Sequence, residues 1–370
     1  MSIDESYMKR ALELAAFARG RVAPNPMVGA VLVKDNKIVA EGWHEKAGTA
    51  HAEIVALNRA GQDASGATLY VTLEPCAHYG RTGPCADALI AAGIRKVFVA
   101  VRDPNPLVAG KGIKRLKEAG VEIVEGLLAK EAKKLNEIFF KWITASLPFV
   151  AMKYAMSLDG KIAAKTGDSK WISGSASREA AHGLRNAYDG IMVGIGTVEA
   201  DDPALTCRIK GGRNPVRIVV DSKARISLKA RLLQDALAQT VVAATELAPA
   251  EKLAELEKLP GVKLLIVPSL NGRVDLRKLL VELGGAGLTG ILAEGGGTLH
   301  AAMLQAGLVD KLYAFIAPKI ISGHAAPGPV GGIGSEKVAD AWAVDEMEFK
   351  RSGEDILVTG YFKQTKGKEK

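Results

Sequence analysis

His51, Cys76 and Cys85 are residues of the types that hold a transition metal through nitrogen and sulfur, and Glu53 stands two positions beyond the histidine. A catalytic zinc needs about three such ligands and a fourth position left for water. One His and two Cys supply that set. His51-Ala52-Glu53 followed by Pro75-Cys76 matches the first part of the zinc-dependent base-deaminase signature, in which the glutamate moves protons and does not ligate. The second cysteine departs from that signature, because eight residues rather than two separate Cys76 from Cys85. His78 is a further available donor, so residue inventory alone leaves a closed structural site open.

Helix geometry narrows the choice. Residues two apart do not share a helix face, so His51 and Glu53 converge only at a helix tip. Gly48-Thr49-Ala50 precedes them and the helical pattern starts at His51. Cys85 follows Pro84, the residue type favoured at the first helical position, and Asp87, Ala88, Leu89 and Ile90 continue a helix. Both segments therefore aim helix N-termini at one place, where partial positive charge and a metal lower a thiol's pKa.

The elements that must position these residues are legible in outline. Ser2-Ile3-Asp4-Glu5 reads as a capping box, and Met8, Leu12, Ala15 and Ala16 follow at helical spacing. Runs at 28–33 and 38–40 around Lys34-Asp35-Asn36-Lys37 predict a hairpin. Helices at 52–60, 85–92, 112–119 and 128–140 then alternate with strands at 67–73, 96–101 and 121–124, which predicts an α/β layer fold with a mostly parallel sheet beyond the hairpin. Around Ser146-Leu147-Pro148 this pattern ends and a strand at 149–156 opens a second one. Further apolar runs lie at 191–193, 216–220, 241–243, 264–267, 291–293 and 312–317. A length of 370 residues, at roughly 150 per domain, agrees with two domains, 1–146 and 147–366. The lysine-rich end beyond them reads as a solvated tail.

In the second domain, Gly194-Ile195-Gly196-Thr197-Val198-Glu199 follows a strand, but Glu199 stands where a dinucleotide fingerprint needs its third glycine. Ile291-Leu292-Ala293-Glu294-Gly295-Gly296-Gly297-Thr298-Leu299 reads as a strand, a triple glycine and a helix through Gln305. Such a helix start offers unpaired N–H groups to a phosphate, although a glycine run also serves a plain β–α turn. The Gly/Pro-rich segment 320–335 is expected to be a surface loop.

Composition sets the outer bounds. With 48% apolar, 24% charged and 5% aromatic residues, disorder, coiled coil and collagen-like repeats are excluded. The balance of 49 basic and 41 acidic residues, a net of +8, fits anionic partners such as phosphorylated small molecules or nucleic acid. Three cysteines, an odd number, speak against a disulfide scaffold and for a reducing cytoplasm. The first residues lack the pattern of a secretory signal, and no run reaches the ~18 apolar residues of a membrane span.

Asn25-Pro26-Met27-Val28-Gly29-Ala30, His51-Ala52-Glu53 and the stretch from Thr72 through Cys85 resemble the bifunctional riboflavin-biosynthesis deaminase–reductase family. That family's longer inter-cysteine loop accounts for the spacing noted above. Gly83 is one departure, since the family commonly has proline there. Ser169-Lys170-Trp171-Ile172-Ser173 and Ala200-Asp201-Asp202-Pro203-Ala204-Leu205-Thr206 extend the resemblance through the second domain. It implies a cytidine-deaminase-like three-layer α/β/α domain followed by a dihydrofolate-reductase-like α/β domain.

The resemblance further implies zinc on His51, Cys76 and Cys85, Glu53 as proton carrier, Asn25 and His44 against the pyrimidine, and Arg81 on a phosphate. It implies NADPH held by Ala155, Trp171, Thr197, Asp201, Ser222 and the loop containing Gly296, Gly297, Thr298 and Leu299. Lys153, Ser169, Arg185, Leu205, Arg208 and Glu294 would meet the sugar phosphate or pyrimidine, with Lys153 polarising the reacting group. Arg185 and Arg208 suit phosphate because guanidinium pairs with it bidentately. The substrate implied is a phosphorylated diaminopyrimidinone, first deaminated and then reduced at its ribosyl group, by a cytoplasmic homo-oligomer, dimer or tetramer.

Two competitors follow from the residues: a nucleic-acid base deaminase with an appended binding domain, and a non-catalytic metal-stabilised scaffold. The first is disfavoured because no basic run is interleaved with the aromatic residues that stacking on bases requires.

Overall fold

The computed structural model describes residues 2–78, 83–106 and 108–363. The chain divides into two compact units, Met1–Ser146 and Leu147–Lys370.

In the first unit, α1 (Ile3–Ala16) precedes the hairpin β1 (Gly29–Lys34) and β2 (Lys37–Trp43). Then come α2 (Ala52–Ala60), β3 (Thr68–Val71), α3 (Cys85–Ala91), β4 (Lys96–Val99), α4 (Lys111–Glu118), β5 (Glu122–Glu125), α5 (Ala129–Leu135) and α6 (Glu137–Ala145). The capping box forms: Glu5 N–H donates to Ser2 Oγ at 3.2 Å and Ser2 N–H to Glu5 Oε2 at 2.8 Å. The buried stripe of α1 is Met8, Ala11, Leu14 and Ala15. Asp35 and Asn36 both take positive φ, the geometry that a tight two-residue hairpin turn demands.

The sheet order is β2-β1-β3-β4-β5, antiparallel across β2, β1 and β3 and parallel from β3 to β5. Successive strand residues face opposite ways. Ala30 and Leu32 pack with residues of α2, α3 and α4, whereas Val31 and Val33 pack with α1 and Ala132 of α5. Helices thus cover both faces, giving three layers. The single helix expected at 128–140 is instead two helices meeting at Asn136. The Asn136 side chain holds the Met27 backbone through both its oxygen and its nitrogen, at 2.8 Å each.

The second unit begins with β6 (Phe149–Ser157), α7 (Ser175–Ala187), β7 (Gly190–Gly194), α8 (Ile195–Asp201), β8 (Val216–Val220), α9 (Arg231–Gln234), β9 (Thr240–Ala244), α10 (Ala250–Glu257) and β10 (Val262–Ile266). A small ribbon of β11 (Ser269–Leu270) and β12 (Arg273–Val274) leads to α11 (Leu276–Gly285), β13 (Gly290–Gly295), α12 (Gly297–Gln305), β14 (Lys311–Ala317), β15 (Val344–Ser352) and β16 (Asp355–Phe362). The large sheet runs β10-β9-β8-β7-β13-β6-β14-β16-β15. It is parallel from β10 to β14 and antiparallel at the last two strands.

The closing hairpin was not among the expected strands, because β15 is a half-exposed edge strand whose pairing shifts between Asp345 and Glu348. Met192, Ile218 and Ile291 pack on one face of the sheet with α11 and α12, and Ile191, Val193 and Val219 on the other with residues of α8, α9 and α10.

A Cβ on Gly42 of β2 would lie 2.4 Å from the Ala52 carbonyl oxygen and 2.6 Å from the Ala56 nitrogen. Helix α2 is therefore seated closer to β2 than any side chain permits. Gly42→Ala is expected to lower the stability of the first unit by about 3 kcal/mol, the upper end for an overpacked core, read as a fall in its urea midpoint.

Candidate active sites

His51 is the N-cap of α2 in extended conformation, and Cys85 is the first residue of α3, with Pro84 one position earlier than expected, as that helix's N-cap. Cys76 lies on the segment leaving β3. His51 Nδ1 is 3.2 Å from Cys85 Sγ and 3.6 Å from Cys76 Sγ, and the Cys85 N–H donates to Cys76 Sγ at 3.3 Å. These ligand atoms all lie within 4.8 Å of one another. Hydrogen bonds from Cys85 and His51 hold the Cys76 thiol down at about 4, while the hydrogen bond to the Cys76 sulfur, together with burial, raises the Cys85 thiol. Two sulfurs and an imidazole so disposed fit a zinc ion with a fourth position free. His78 is exposed and outside this cluster, which weighs against the closed four-ligand site.

Glu53, in the first turn of α2, is 3% exposed, and burial pushes its carboxyl up to about 7. His44 is buried beside His51, ring centroids 5.5 Å apart, and its Nε2 lies 3.2 Å from Asn25 Nδ2. The His44 Nδ1 contacts the Ala50 carbonyl at 3.1 Å, and burial lowers its pKa. A carbonyl only accepts, so Nδ1 carries the proton of the neutral ring and Nε2 accepts from the Asn25 amide. Arg81 lies outside the described residues.

Glu74 and Gly112 were not singled out by sequence. The buried Glu74 carboxylate accepts backbone N–H bonds from Asp103 (3.3 Å), Gly110 (2.9 Å), Gly112 (3.0 Å) and Ile113 (3.2 Å), and so seats the start of α4 beneath Pro75-Cys76. A Cβ on Gly112 would fall 1.8 Å from the Pro75 carbonyl oxygen. The acidic residue before Pro75 is the one local signal that could have pointed there.

In the second unit a cavity of about 830 Å3 opens among the carboxyl ends of β8, β7, β13 and β6, the place where open parallel sheets bind ligands. Lys153, Ala155, Ser169, Trp171, Arg185, Thr197, Asp201, Arg208, Ser222, Glu294, Gly296, Thr298 and Leu299, each singled out above, line it. Leu205 and Gly297 are not lining residues: Leu205 is buried, and Gly297 packs on the backbone of Gly328 and Gly331.

The pairing of β13 with β7 slips between Ala293 and Gly295. A bulge of this kind re-aims a side chain, here Glu294. Arg185 meets Glu294 through two bonds of 2.8 Å and donates to the Thr206 carbonyl at 3.0 Å, while Lys153 Nζ is 3.7 Å from Glu294. The two-pronged face of Arg185, expected to face phosphate, is thus occupied by Glu294. Arg208 donates through Nε to His182. Burial works to raise the Glu294 pKa, but Arg185 and Lys153 outweigh it and hold the carboxyl at about 2.

Gly295 and Gly296 approach Thr197 Oγ1 so closely that a Cβ would sit 3.0 and 3.4 Å from it. Together with the N–H groups opening α12, they form a cradle fitting a dinucleotide phosphate. Other lining residues, His182, Asp221, His300, Pro327 and Pro329, carried no sequence signal. The 320–335 segment is therefore more than a surface loop: two of its prolines form part of the cavity wall.

A nitrogen- and sulfur-lined corner with its own buried proton carrier is the machinery of hydrolytic deamination, and the second unit adds a cavity of the size that takes small molecules. The class of protein so defined is a zinc deaminase joined to a second small-molecule enzyme.

The family description "Cytidine and deoxycytidylate deaminase zinc-binding region" matches residues 1–101, and the RibD C-terminal domain matches residues 148–358. The riboflavin biosynthesis protein RibD of Actinobacillus pleuropneumoniae is 47% identical over 355 residues, 96% of this chain and 94% of that protein. The Escherichia coli protein of the same name is 43% identical over 96% of this chain and 98% of its own length. The crystal structure of the Thermotoga maritima diaminohydroxyphosphoribosylaminopyrimidine deaminase/5-amino-6-(5-phosphoribosylamino)uracil reductase superposes with a TM-score of 0.86 at 39% identity, covering 97% of this chain and 99% of that one. The chain belongs to the RibD family, the bifunctional deaminase and reductase of riboflavin biosynthesis. The nucleic-acid deaminase and the metal scaffold are thereby set aside. Among the described residues, no helix is long and apolar enough to cross a membrane.

Glu74→Gln replaces a carboxylate oxygen by an N–H donor facing N–H groups. The expected cost is about 3 kcal/mol, as for an unpaired buried polar group, with faster zinc loss on dialysis against a chelator.

A carboxylate whose folded pKa lies below its unfolded value stabilises the fold above the unfolded pKa, and that contribution is lost as pH falls through the folded one. For Glu294 the window runs from about 4.5 down to about 2. Acid unfolding followed by circular dichroism should lose this component in Glu294→Gln.

Proposed function

We propose that the first unit deaminates 2,5-diamino-6-ribosylamino-4(3H)-pyrimidinone 5′-phosphate, and that the second reduces the ribosyl group of the product to ribityl with NADPH. The observation that carries the reading is the convergence of His51, Cys76 and Cys85 within 4.8 Å, with Glu53 buried beside them. Zinc held by these three residues supplies Lewis-acid activation of water.

Glu53, with a carboxyl near neutrality, takes the proton of the attacking water and delivers it to the departing amino group. Because His44 engages one N–H of the Asn25 amide, Asn25 keeps its oxygen and a second N–H for the pyrimidine edge. The family likeness supports Arg81 on the phosphate.

In the second unit, NADPH supplies the hydride that reduces C1′, and the chain supplies position and charge. The glycine run and the start of α12 suit its pyrophosphate. Lys153, anchored by Glu294 within the cavity, stands ready to donate to the heteroatom at C1′ as negative charge develops there. The family likeness supports Arg208 on the phosphate, and Arg185 orients Glu294. Unpaired cysteines agree with a reducing cytoplasm, and the family likeness supports a dimer or tetramer.

The test supplies the diaminopyrimidine phosphate and NADPH and follows ammonia release and NADPH oxidation together. Glu53→Gln should lower ammonia release about 1,000-fold, within the range of a lost general acid–base, with zinc content by atomic absorption unchanged. Undiminished ammonia release in that variant would refute the assignment.

A further inference from the structure

The Gly/Pro-rich strap near residues 326–331 is gripped from two sides. From the turn after β6, Ile162 N–H donates to the Pro327 carbonyl at 2.9 Å and Lys161 Nζ to the Ala326 carbonyl at 3.1 Å. From α12, Gly331 N–H donates to the Gly297 carbonyl at 2.9 Å, and His300 Nδ1 lies 2.9 Å from the Pro329 carbonyl. Farther back, the Asp159 carboxylate accepts from the N–H groups of Ile321 and Ser322. The strap thus spans from the end of β6 to the start of α12, and Pro327, Pro329 and His300 all line the reductase cavity.

His300 is 2% exposed, and its Nε2 lies 3.3 Å from the Ala293 carbonyl, at the bulge that turns Glu294 inward. Burial favours the neutral ring, which has a single N–H. The shorter contact marks Nδ1 as its carrier and Pro329 as its acceptor. One buried side chain therefore ties the strap to the helix whose first turn faces the glycine cradle.

We propose that His300 is a positioning residue of the reductase cofactor site: by holding Pro329 it fixes the strap as a wall of the cavity and so sets the affinity for NADPH. The proposal rests on the NADPH reading above. A wall ordered before binding spares the ligand the entropic cost of ordering it, so release of the clasp weakens binding without touching the reacting atoms.

The test titrates the full-length zinc-loaded protein with NADPH, followed by fluorescence, in wild type and in His300→Leu, His300→Gln and His300→Asn. The Asn amide nitrogen occupies the place of Nδ1 and can still donate to Pro329, whereas the Gln amide reaches the place of Nε2, toward Ala293. His300→Leu and His300→Gln should each raise the Kd about 10-fold and carry that loss into KM for NADPH. His300→Asn should stay within about 2-fold of wild type.

Thermal unfolding of each full-length variant by circular dichroism, compared with wild type, is the check that the second unit is folded. Because Leu leaves two buried carbonyls facing an apolar group and can impair folding, the Gln and Asn pair repeats the comparison with a polar side chain retained. A merely structural histidine would show equal losses in Gln and Asn, or none in Leu, and either result overturns the proposal. A wild-type protein that fails to bind NADPH overturns the cofactor reading itself, whereas wild-type binding with unchanged variants overturns only the role of His300.

Discussion

Contact between one backbone and another, closer than a side chain would permit, governs how the reactive groups come together. The metal corner takes its donors from three separate segments, two of them helix starts. The elements that carry them are seated at backbone distance, α2 on β2 at Gly42 and α4 on Pro75 at Gly112. In the second unit Gly297 comes up against backbone in the same way, where a Cβ would sit 3.1 Å from the Gly328 carbonyl oxygen and 3.1 Å from the Gly331 nitrogen. In both units a helix begins against the end of a strand, so its unpaired N–H groups and partial positive charge face the ligand site.

Three buried glutamates show how surroundings assign different work to one side chain. Burial dominates at Glu53, and its carboxyl moves up to about 7, where it can exchange a proton. Glu74 accepts four backbone N–H bonds and fastens a helix to the cysteine segment. Glu294 is held at about 2 by Arg185 and Lys153, so it stays charged and anchors the cationic side of the cavity. A proton carrier, a structural tie and a charge anchor differ here in their partners, not in their chemistry.

The net charge of +8 takes on a narrower meaning in this setting. Several of the cations that matter are already committed: Arg185 to Glu294, Lys161 to the strap and Arg178 stacked 4.6 Å from Trp171. Arg208 is engaged as well, through its Nε with His182, so the global surplus says little about the charge available at any one site.

Much of this architecture was legible from local pattern. The capping box at Ser2, the hairpin at Asp35-Asn36, the boundary near Ser146 and the helix starts at His51 and Cys85 depend on residues within a turn or two of one another. Short-range preferences decide such features. Donor chemistry and the His-x-Glu spacing likewise marked the metal corner, and likeness to a family pointed to thirteen of the residues that line the cavity of the second unit.

Long-range contacts decided the rest. Asn136 breaks a helix at the point where its side chain holds Met27, 109 positions away. Glu74 finds its partners 29 to 39 residues on, Arg185 is claimed by a glutamate 109 positions away, and His300 reaches a proline carbonyl across 29. The edge hairpin β15–β16 exists because β14 offers it a pairing edge. Residue type and spacing determined which groups could do chemistry, and only the tertiary structure decided which of them were free to do it. Buried donors, acceptors and charges must be paired, and the partners are chosen by the fold, not by neighbours in sequence.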